Sequence, residues 1–475
     1  MATGPMTSVY QQIQTQEKQQ RLLRIQRAWQ AYYGNVPDTL RPTRNRDGSR
    51  TNDNVKVNKA RLIANTAVHF LFGREVTFEL DARGNADTTI ETPAEIYLAA
   101  VWKANKKKTK LLKLGLNGAV AGHAFWKIVP GPSPLTGDLP RLVILDPATV
   151  DPTWDPEDLE LVEAYEISYP GTDPKTGKPM LYRQLHQRLE TQWTIVDQQK
   201  DPDALAWSTI QEVPWPYPFP AIVDCQNLPA PNQYWGTSDL EDDVLALNKA
   251  RNFLLSNWLR IQRFHGHPKT WGKGFAAKDL ETAVDATIVL PSKDATLANL
   301  EMTSDQAGAD LLDRKLDDAI MELAAIPPVA AGKLDNVGQL SGLAIQILFS
   351  PIIARTEAKR LLYGELLEET NRRLLAIGGF GDANETSLKW PEVLPTDPMA
   401  EAQTALVEEQ LGVSKSTLLQ KLGYDPDTEA DKKADELAEA SARGAQAFDA
   451  GNDDVGDVEL GPDGRPIGQQ NGVPR

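Results

Sequence analysis

Three helix-forming stretches between Tyr234 and Gly379, and the residues that punctuate them, constrain this chain more than any other feature. In the first, acids crowd the start (Asp239, Glu241, Asp242, Asp243) and bases the end (Arg260, Arg263), the order a helix dipole favours. Apolar residues at Leu240, Val244, Leu247, Leu254, Trp258 and Ile261 recur near helical spacing. Ser238 and Glu241 stand three apart, the spacing of a capping box, which predicts where the helix opens. The second stretch runs from Ser304 to about Ala325, with Leu312, Leu316, Ile320 and Leu323 on one stripe and Asp310, Asp313, Asp317 and Asp318 on the other. Pro327 and Pro328 end it, because proline lacks the N–H a helix needs. After a small-residue loop, Ser341 opens a helix that reaches about Ala376 and stops at Gly378-Gly379. Pro351 inside that helix predicts a kink near Ile347. Between the first two rods, residues 265–303 read as strand (Pro268–Gly272), helix (Ala277–Ala283) and strand (Ala286–Leu290).

Around this spine the pattern alternates between helix and strand. A polar helix is expected from Val9 to about Tyr33, carrying Ile13, Leu22, Leu23, Ile25 and Trp29, and then a loop over Pro37–Asn54. Helices follow at about 55–72, 92–105 and 108–121. Residues 124–223 change character: Phe125–Val129, Arg141–Leu145, Leu161–Ile167 and Gln192–Val196 read as strands between Gly/Pro/Asp turns. Pro214, Pro216, Pro218 and Pro220 bar regular structure just before Ala221–Cys225. Beyond Trp390–Pro395, helices are expected at about 397–411, 415–422 and 429–446, with Ser414 capping the middle one. From Phe448 onward apolar residues are scarce, which predicts disorder. The fold class is α+β, predominantly helical.

Composition narrows the function classes. The net charge is −16, whereas a protein that grips nucleic acid by its phosphates carries a basic face. An acid surplus serves solubility, or it lines a channel through which a polyanion slides without sticking. One cysteine, Cys225, excludes an internal disulfide and any Cys-rich zinc site, as expected of a chain made in a reducing cytoplasm. Met1–Arg27 has no signal-peptide pattern, and the most apolar stretch, Leu343–Ile353, is too short and interrupted to span a membrane. The basic run Lys106–Lys108 with Lys110 and Lys113 reads as a solvated helix end. His265 and His267 bracket one glycine with no third metal ligand nearby, so they read as turn residues. Gly171–Lys178 mimics a phosphate loop, but Pro179 stands where a magnesium-binding hydroxyl is required, so it reads as a hairpin turn. Adjacent acids such as Asp242/Asp243 and Asp317/Asp318 diverge on a helix. No catalytic residue, cofactor site or metal site is expected. A nuclease or ATPase component, the alternative reading, needs chemistry that these residues do not supply.

The order of parts resembles the portal proteins of tailed bacteriophages. Tyr234-Trp235-Gly236-Thr237-Ser238-Asp239-Leu240-Glu241 is similar to the lead-in of that family's first stem helix, and Ser341-Gly342-Leu343-Ala344 to the start of its long helix. Upstream, Asn58–Ile63 with Phe72–Val76, Asn117–Phe125 and Leu145-Asp146-Pro147 resemble family helix and strand ends. The resemblance spans roughly residues 55–376. It implies an N-terminal helix and loop (1–54), a β-rich wing (55–233), two stem helices (234–264 and 304–326) and a small α/β clip between them (265–303). It further implies a tunnel loop (327–340), a long kinked helix (341–379), a helical crown (380–447) and a tail (448–475). Lys333, Asn336 and Gln339 would then face DNA from the tunnel loop. Leu247, Phe253, Leu254, Trp258, Leu312, Leu316 and Ile320 would pack the stem, and Glu365, Glu368, Glu369, Arg372 and Arg373 could pair between subunits. The implied assembly is a dodecameric ring at one capsid vertex of the virion. Its implied partners are double-stranded DNA, the terminase large subunit, a head–tail connector, the major capsid protein and a scaffold protein, with no membrane.

Overall fold

The computed structural model of the chain describes residues 5–45, 47–80, 92–155, 157–266, 270–274, 294–299, 306–330, 342–381, 386–393, 405–421, 428–430, 432–434, 436 and 438. The chain divides into two compact units, residues 1–393 and 394–475.

The first unit is built on α7 (Gly342–Ile377), which continues through Pro351. One stripe of it is buried: Ile352, Thr356, Lys359, Tyr363, Leu366, Leu367, Thr370, Asn371, Leu374 and Leu375. Against its C-terminal half pack α2 (Lys59–Phe72), α3 (Pro93–Ala104), α4 (Lys107–Ala121) and the strands β4 (His123–Val129) and β5 (Arg141–Leu145), sharing one apolar core. Two buried indoles need acceptors in that core. Trp102 Nε1 donates to Asn371 Oδ1 at 2.8 Å and Trp126 Nε1 to Thr370 Oγ1 at 3.0 Å, so Asn371 and Thr370 on the buried stripe serve as acceptors for tryptophans. A second core joins α1 (Pro5–Tyr33), α2 and α4 to the N-terminal half of α7 and to the roots of two helices, α5 (Asp242–Gly266) and α6 (Gln306–Leu323).

Local sequence explains the boundaries. Asn58 accepts from Arg61 N–H and starts α2, and Thr92 and Glu95 form a reciprocal capping box with Pro93 in the first turn of α3. Gly122 ends α4 in the left-handed region, φ +86.

The β-rich part is larger than the sequence suggested. The antiparallel order β10-β9-β8-β7-β6 comprises β6 (Val150–Trp154), β7 (Val162–Thr172), β8 (Pro179–Leu189), β9 (Gln192–Lys200) and β10 (Ser208–Pro214). Beside it, β11 (Ile222–Gln226) pairs with β4, which pairs with β5. The expected strands at 125–129, 141–145, 161–167 and 192–196 are present, and Gly171–Lys178 is indeed a hairpin turn, closed by Asp173 N–H donating to Lys178 O. Missed were β6, β8 and β10. Their mixed polar and aromatic composition hides period-two alternation, because most side chains of β8 are half-buried and all of β10 are exposed at a sheet edge.

Other expectations need correction. The 37–54 loop contains a short hairpin, β1 (Thr43–Arg44) with β2 (Arg50–Thr51). In the insert, β12 (Thr270–Lys273) matches the first expected strand but pairs with β13 (Thr296–Asn299). The expected helix 277–283 and strand 286–290 lie outside the described residues. Thr386–Lys389 (β14) pairs with β3 (Thr77–Leu80), and the first compact unit runs through Val393. The lysine run is not simply solvated. Lys107 Nζ lies over the Phe78 ring at 4.2 Å, and Lys110 Nζ donates to Leu142 O.

In the second unit, α8 (Lys415–Lys421) is capped by Ser414, whose Oγ accepts from Thr417 N–H, and Leu418 is buried.

A Cβ built on Gly118 would stand 1.8 Å from Tyr363 Oη. Gly118→Ala is therefore expected to destabilise the protein by about 1–3 kcal/mol, the usual cost of overpacking. Tyr363→Phe removes the clashing atom, so the double variant should recover most of that loss in chemical denaturation. Simple additivity of the two would contradict this packing.

Candidate functional site: a helix pair and its anchor

Two sequence segments that resemble family motifs meet at the base of α5. The backbones of Gly122 and Gly236 cross so closely that a Cβ on either would lie 2.6 Å from the other's carbonyl oxygen. Only glycine fits at both positions. The end of α4 then serves as an acceptor platform: Asp239 N–H donates to Ala119 O at 2.8 Å, and Ser238 Oγ donates to Ala119 O and Val120 O. This corrects the expected capping box. Ser238 fastens the lead-in to α4, and α5 begins at Asp242, with Leu245 N–H donating to Glu241 O.

Asp239 is likewise not a dipole-stabilising acid on a helix surface. Its carboxylate is buried and takes Arg355 Nε at 3.0 Å and Lys359 Nζ at 2.5 Å, both from α7, with Asn227 Nδ2 at 3.3 Å. Burial lowers the pKa of Lys359, opposed by the Asp239 charge. The sequence carried a signal for this site. Ile352, Thr356, Lys359 and Tyr363 follow one helical stripe, so Lys359 falls on a core face and requires a buried acid.

A second cluster supports the lead-in from the side of the strands. Partly buried Asp224 on β11 lies 2.8 Å from His123 Nε2 and accepts from Tyr165 Oη at 2.6 Å and Tyr234 Oη at 2.5 Å. His123 stacks between Phe125 and Tyr234, and Arg21 of α1 lies 3.8 Å over the Trp235 ring while bonding Asp151. Burial alone would raise Asp224, but the His123 hydrogen bond and charge and the two phenols over-compensate and hold it below its ordinary value.

Beyond this anchor α5 and α6 lie side by side. Arg251 reaches Asp313 through two nitrogens, at 2.8 and 3.0 Å, and Asp317 through a third at 2.8 Å, and Lys59 of α2 also reaches Asp317 at 2.7 Å. Another face of α5 is polar and covered by the N-terminal segment: Val57 N–H donates to Asn252 Oδ1, Val55 N–H to Ser256 Oγ, and Asp53 bonds Arg260 and Arg263. The expected intersubunit pairs at Glu369, Arg372 and Arg373 are spent within the chain. Both arginines bond Glu369, and Arg373 also donates to Pro220 O and Ile222 O, because they sit where α7 meets β11.

Among the charged residues that stay exposed on the two helices, large apolar side chains are uncovered as well. Phe253 is 48% exposed, Leu312 47% and Leu323 46%, and Leu311, Ile261 and Phe264 are open as well. Phe253, Ile261 and Phe264, spaced eight and three apart, share one face of α5. Of the other expected stem residues, Leu247, Leu254, Trp258 and Leu316 are half-buried, and Trp258 Nε1 has no partner among the described residues. Ile320 differs: it is fully buried in its own chain's second core and is not available to a neighbour. Pro351 is exposed within α7. Lys333, Asn336 and Gln339 lie outside the described residues, as does His267. Among the described residues no group of His, Cys, Asp or Glu is arranged to hold a metal, and no helix is long and apolar enough to cross a membrane.

The phage portal protein family, SPP1 Gp6-like, matches residues 11–443. The chain belongs to that family. Among solved structures, this portal-family chain is similar to one in the neck of an empty gene transfer agent (GTA) particle computed with C6 symmetry. The identity is 14% and the TM-score 0.46, over 77% of this chain and 89% of that one. It is also similar to one in the neck of a native GTA particle computed with C12 symmetry (13% identity, TM-score 0.41, 77% and 88% covered). A third similar chain comes from the virion of a native GTA particle (14%, 0.40, 77% and 88%). No curated protein matches the chain.

The depressed Asp224 predicts an acid sensitivity. A carboxylate held below its unfolded value stabilises the fold above that value, and the contribution is lost as pH falls through the folded one. Asp224→Asn should therefore be less stable than the wild type at pH 7, with the gap closing as pH drops below 3.8, in urea unfolding at stepped pH. A gap that stays constant down to pH 2 would contradict this account.

Proposed function

We propose that this portal-family protein is one subunit of a closed ring, a dodecamer in the family's manner, set at one capsid vertex of the virion. Duplex DNA would enter and leave through the ring's channel, a separate terminase large subunit would drive packaging from outside, and a head–tail connector would later take the terminase's place. The major capsid protein and a scaffold protein are the remaining proposed partners. In this reading residues 234–264 and 304–326 are the stem, 265–303 the clip, 55–233 the wing and 380–447 the crown, and the subunit itself catalyses nothing.

One observation carries the proposal: large apolar side chains stand exposed on both helices of a pair that its own chain holds in place. Asp239 fixes the base, Arg251 fixes α5 to α6, and the N-terminal segment covers the polar face. The pair therefore cannot rotate to bury Phe253 and Leu312 internally, and a second copy of the same surface system is the natural cover. Heterologous contacts between identical subunits close into a ring when the rotation divides a full turn. Lys333, Asn336 and Gln339, between Ala330 and Gly342 in the sequence, are proposed to touch passing phosphates. The acid surplus, if it lines the channel, would keep those contacts brief.

Native mass spectrometry and electron microscopy of the full chain test this reading. The wild type is expected as a ring of fixed mass with a central hole, and the variant Phe253→Asp/Leu312→Asp as a folded monomer or short oligomer. A wild type that stays monomeric at micromolar concentration, or a variant that still closes, would overturn it.

A further inference from the structure

The segment that covers α5 carries more than a covering role. Its hairpin pairs Thr43 with Thr51 and Arg44 with Arg50. Residues directly opposite in an antiparallel pair share a face about 5 Å apart, and like charges there repel. Thr43 Oγ1 reaches Asp53, which is bound to Arg260 and Arg263 of α5, so the threonine face turns toward the stem and the arginine face turns away. Arg41, Arg44 and Arg50 are all exposed, and none of them makes an ion pair among the described residues.

The hairpin is held firmly. Asn54 accepts from the N–H groups of Thr39 and Leu40 and donates to Leu40 O, and Arg260 donates to Arg41 O. At the tip, Asn45 N–H donates to Ser49 O, and Gly48 supplies the positive φ of +82. The nearby acids are already engaged. Asp47 accepts from Ser49 N–H and Oγ, Asp38 takes Lys56 and Asn52, and Asp53 sits beneath two arginines. In a chain of net charge −16, this is a rigid ribbon with its spare charge positive.

We propose that Arg41, Arg44 and Arg50 form a binding site for the phosphate backbone of duplex DNA. Guanidinium groups suit phosphate oxygens through paired N–H donors, and backbone contacts of this kind carry no sequence preference. An acidic protein segment is the less favoured ligand. Arginines at protein interfaces act beside aromatic anchors that fill pockets, and the described residues from Thr43 to Thr51 include no aromatic side chain. The inference rests on the portal reading only for which polyanion is at hand, and its test does not require ring closure.

The test is fluorescence anisotropy of a random-sequence duplex with the full chain, wild type against Arg41→Gln/Arg44→Gln/Arg50→Gln, from 50 to 200 mM salt. Three phosphate contacts predict that the wild type loses about 40-fold in affinity over that range beyond any loss in the variant. Arg44→Lys/Arg50→Lys keeps the charge and should retain most of the salt slope, which separates charge from folding. Native mass of each variant reports ring formation separately, so failure of the portal reading is distinguishable. Equal salt slopes for wild type and triple-Gln variant would overturn the proposal. So would displacement of the duplex by poly-glutamate at equal charge concentration, which would make the ribbon a protein-docking surface.

Discussion

The setting of the α5–α6 pair depends on one buried carboxylate. Asp239 lies at the point where the β-rich part gives way to α5, and it is gripped by Arg355 and Lys359 from the middle of α7. Taking such charges out of water is costly, and the arrangement holds because two cations, an asparagine amide and the helix end at Ala119 share the satisfaction of the groups around it. Removing one partner from a buried ion pair costs about 3–5 kcal/mol. The geometry is specific: only one setting of α5 against α7 brings Asp239 to both cations. Everything beyond the junction inherits that direction.

With the base fixed, the rest of the helix pair follows in order. Arg251 spans α5 and α6 through Asp313 and Asp317, and Lys59 carries the same network back to α2. The N-terminal segment lies along Asn252 and Ser256, so the polar face of α5 is covered by hydrogen bonds from its own chain. Apolar side chains are thereby left facing outward on helices that cannot turn. In the proposed ring, intramolecular polar contacts set the pose of the stem and intermolecular apolar contacts close the assembly. Ile320 marks the border between the two systems, since it already belongs to the subunit's own core.

Much of this was legible in the sequence, and the exceptions share a cause. The long helices, their proline and glycine stops, and four of the strands follow from periodicity and backbone constraints, which are local. The capping box at Ser238 and Glu241 failed because Ser238 is engaged before the helix begins: its hydroxyl donates to the end of α4 and accepts from Leu240 N–H, and α5 starts only at Asp242. Asp239 was assigned to the helix dipole for the same reason: a single sequence shows the acid but not the cations that lie more than a hundred residues away. Lys359 and Arg373 were the readable clues, charged residues on a stripe otherwise made of Ile352, Tyr363, Leu366 and Leu374. The missed strands β8 and β10 lack alternation because their environment is half-open rather than two-faced. The glycines at 122 and 236 were visible as residues, but their meaning, the crossing of two backbones, needed the fold.

Native-state hydrogen exchange on wild type and Asp239→Asn tests the central claim most directly. If the junction sets the stem, the variant should lose protection first in the early turns of α5 and in α7 around Arg355–Lys359, while the sheet β6–β10 keeps its protection. Unchanged exchange in α5, or an equal loss across the whole first unit, would contradict the account.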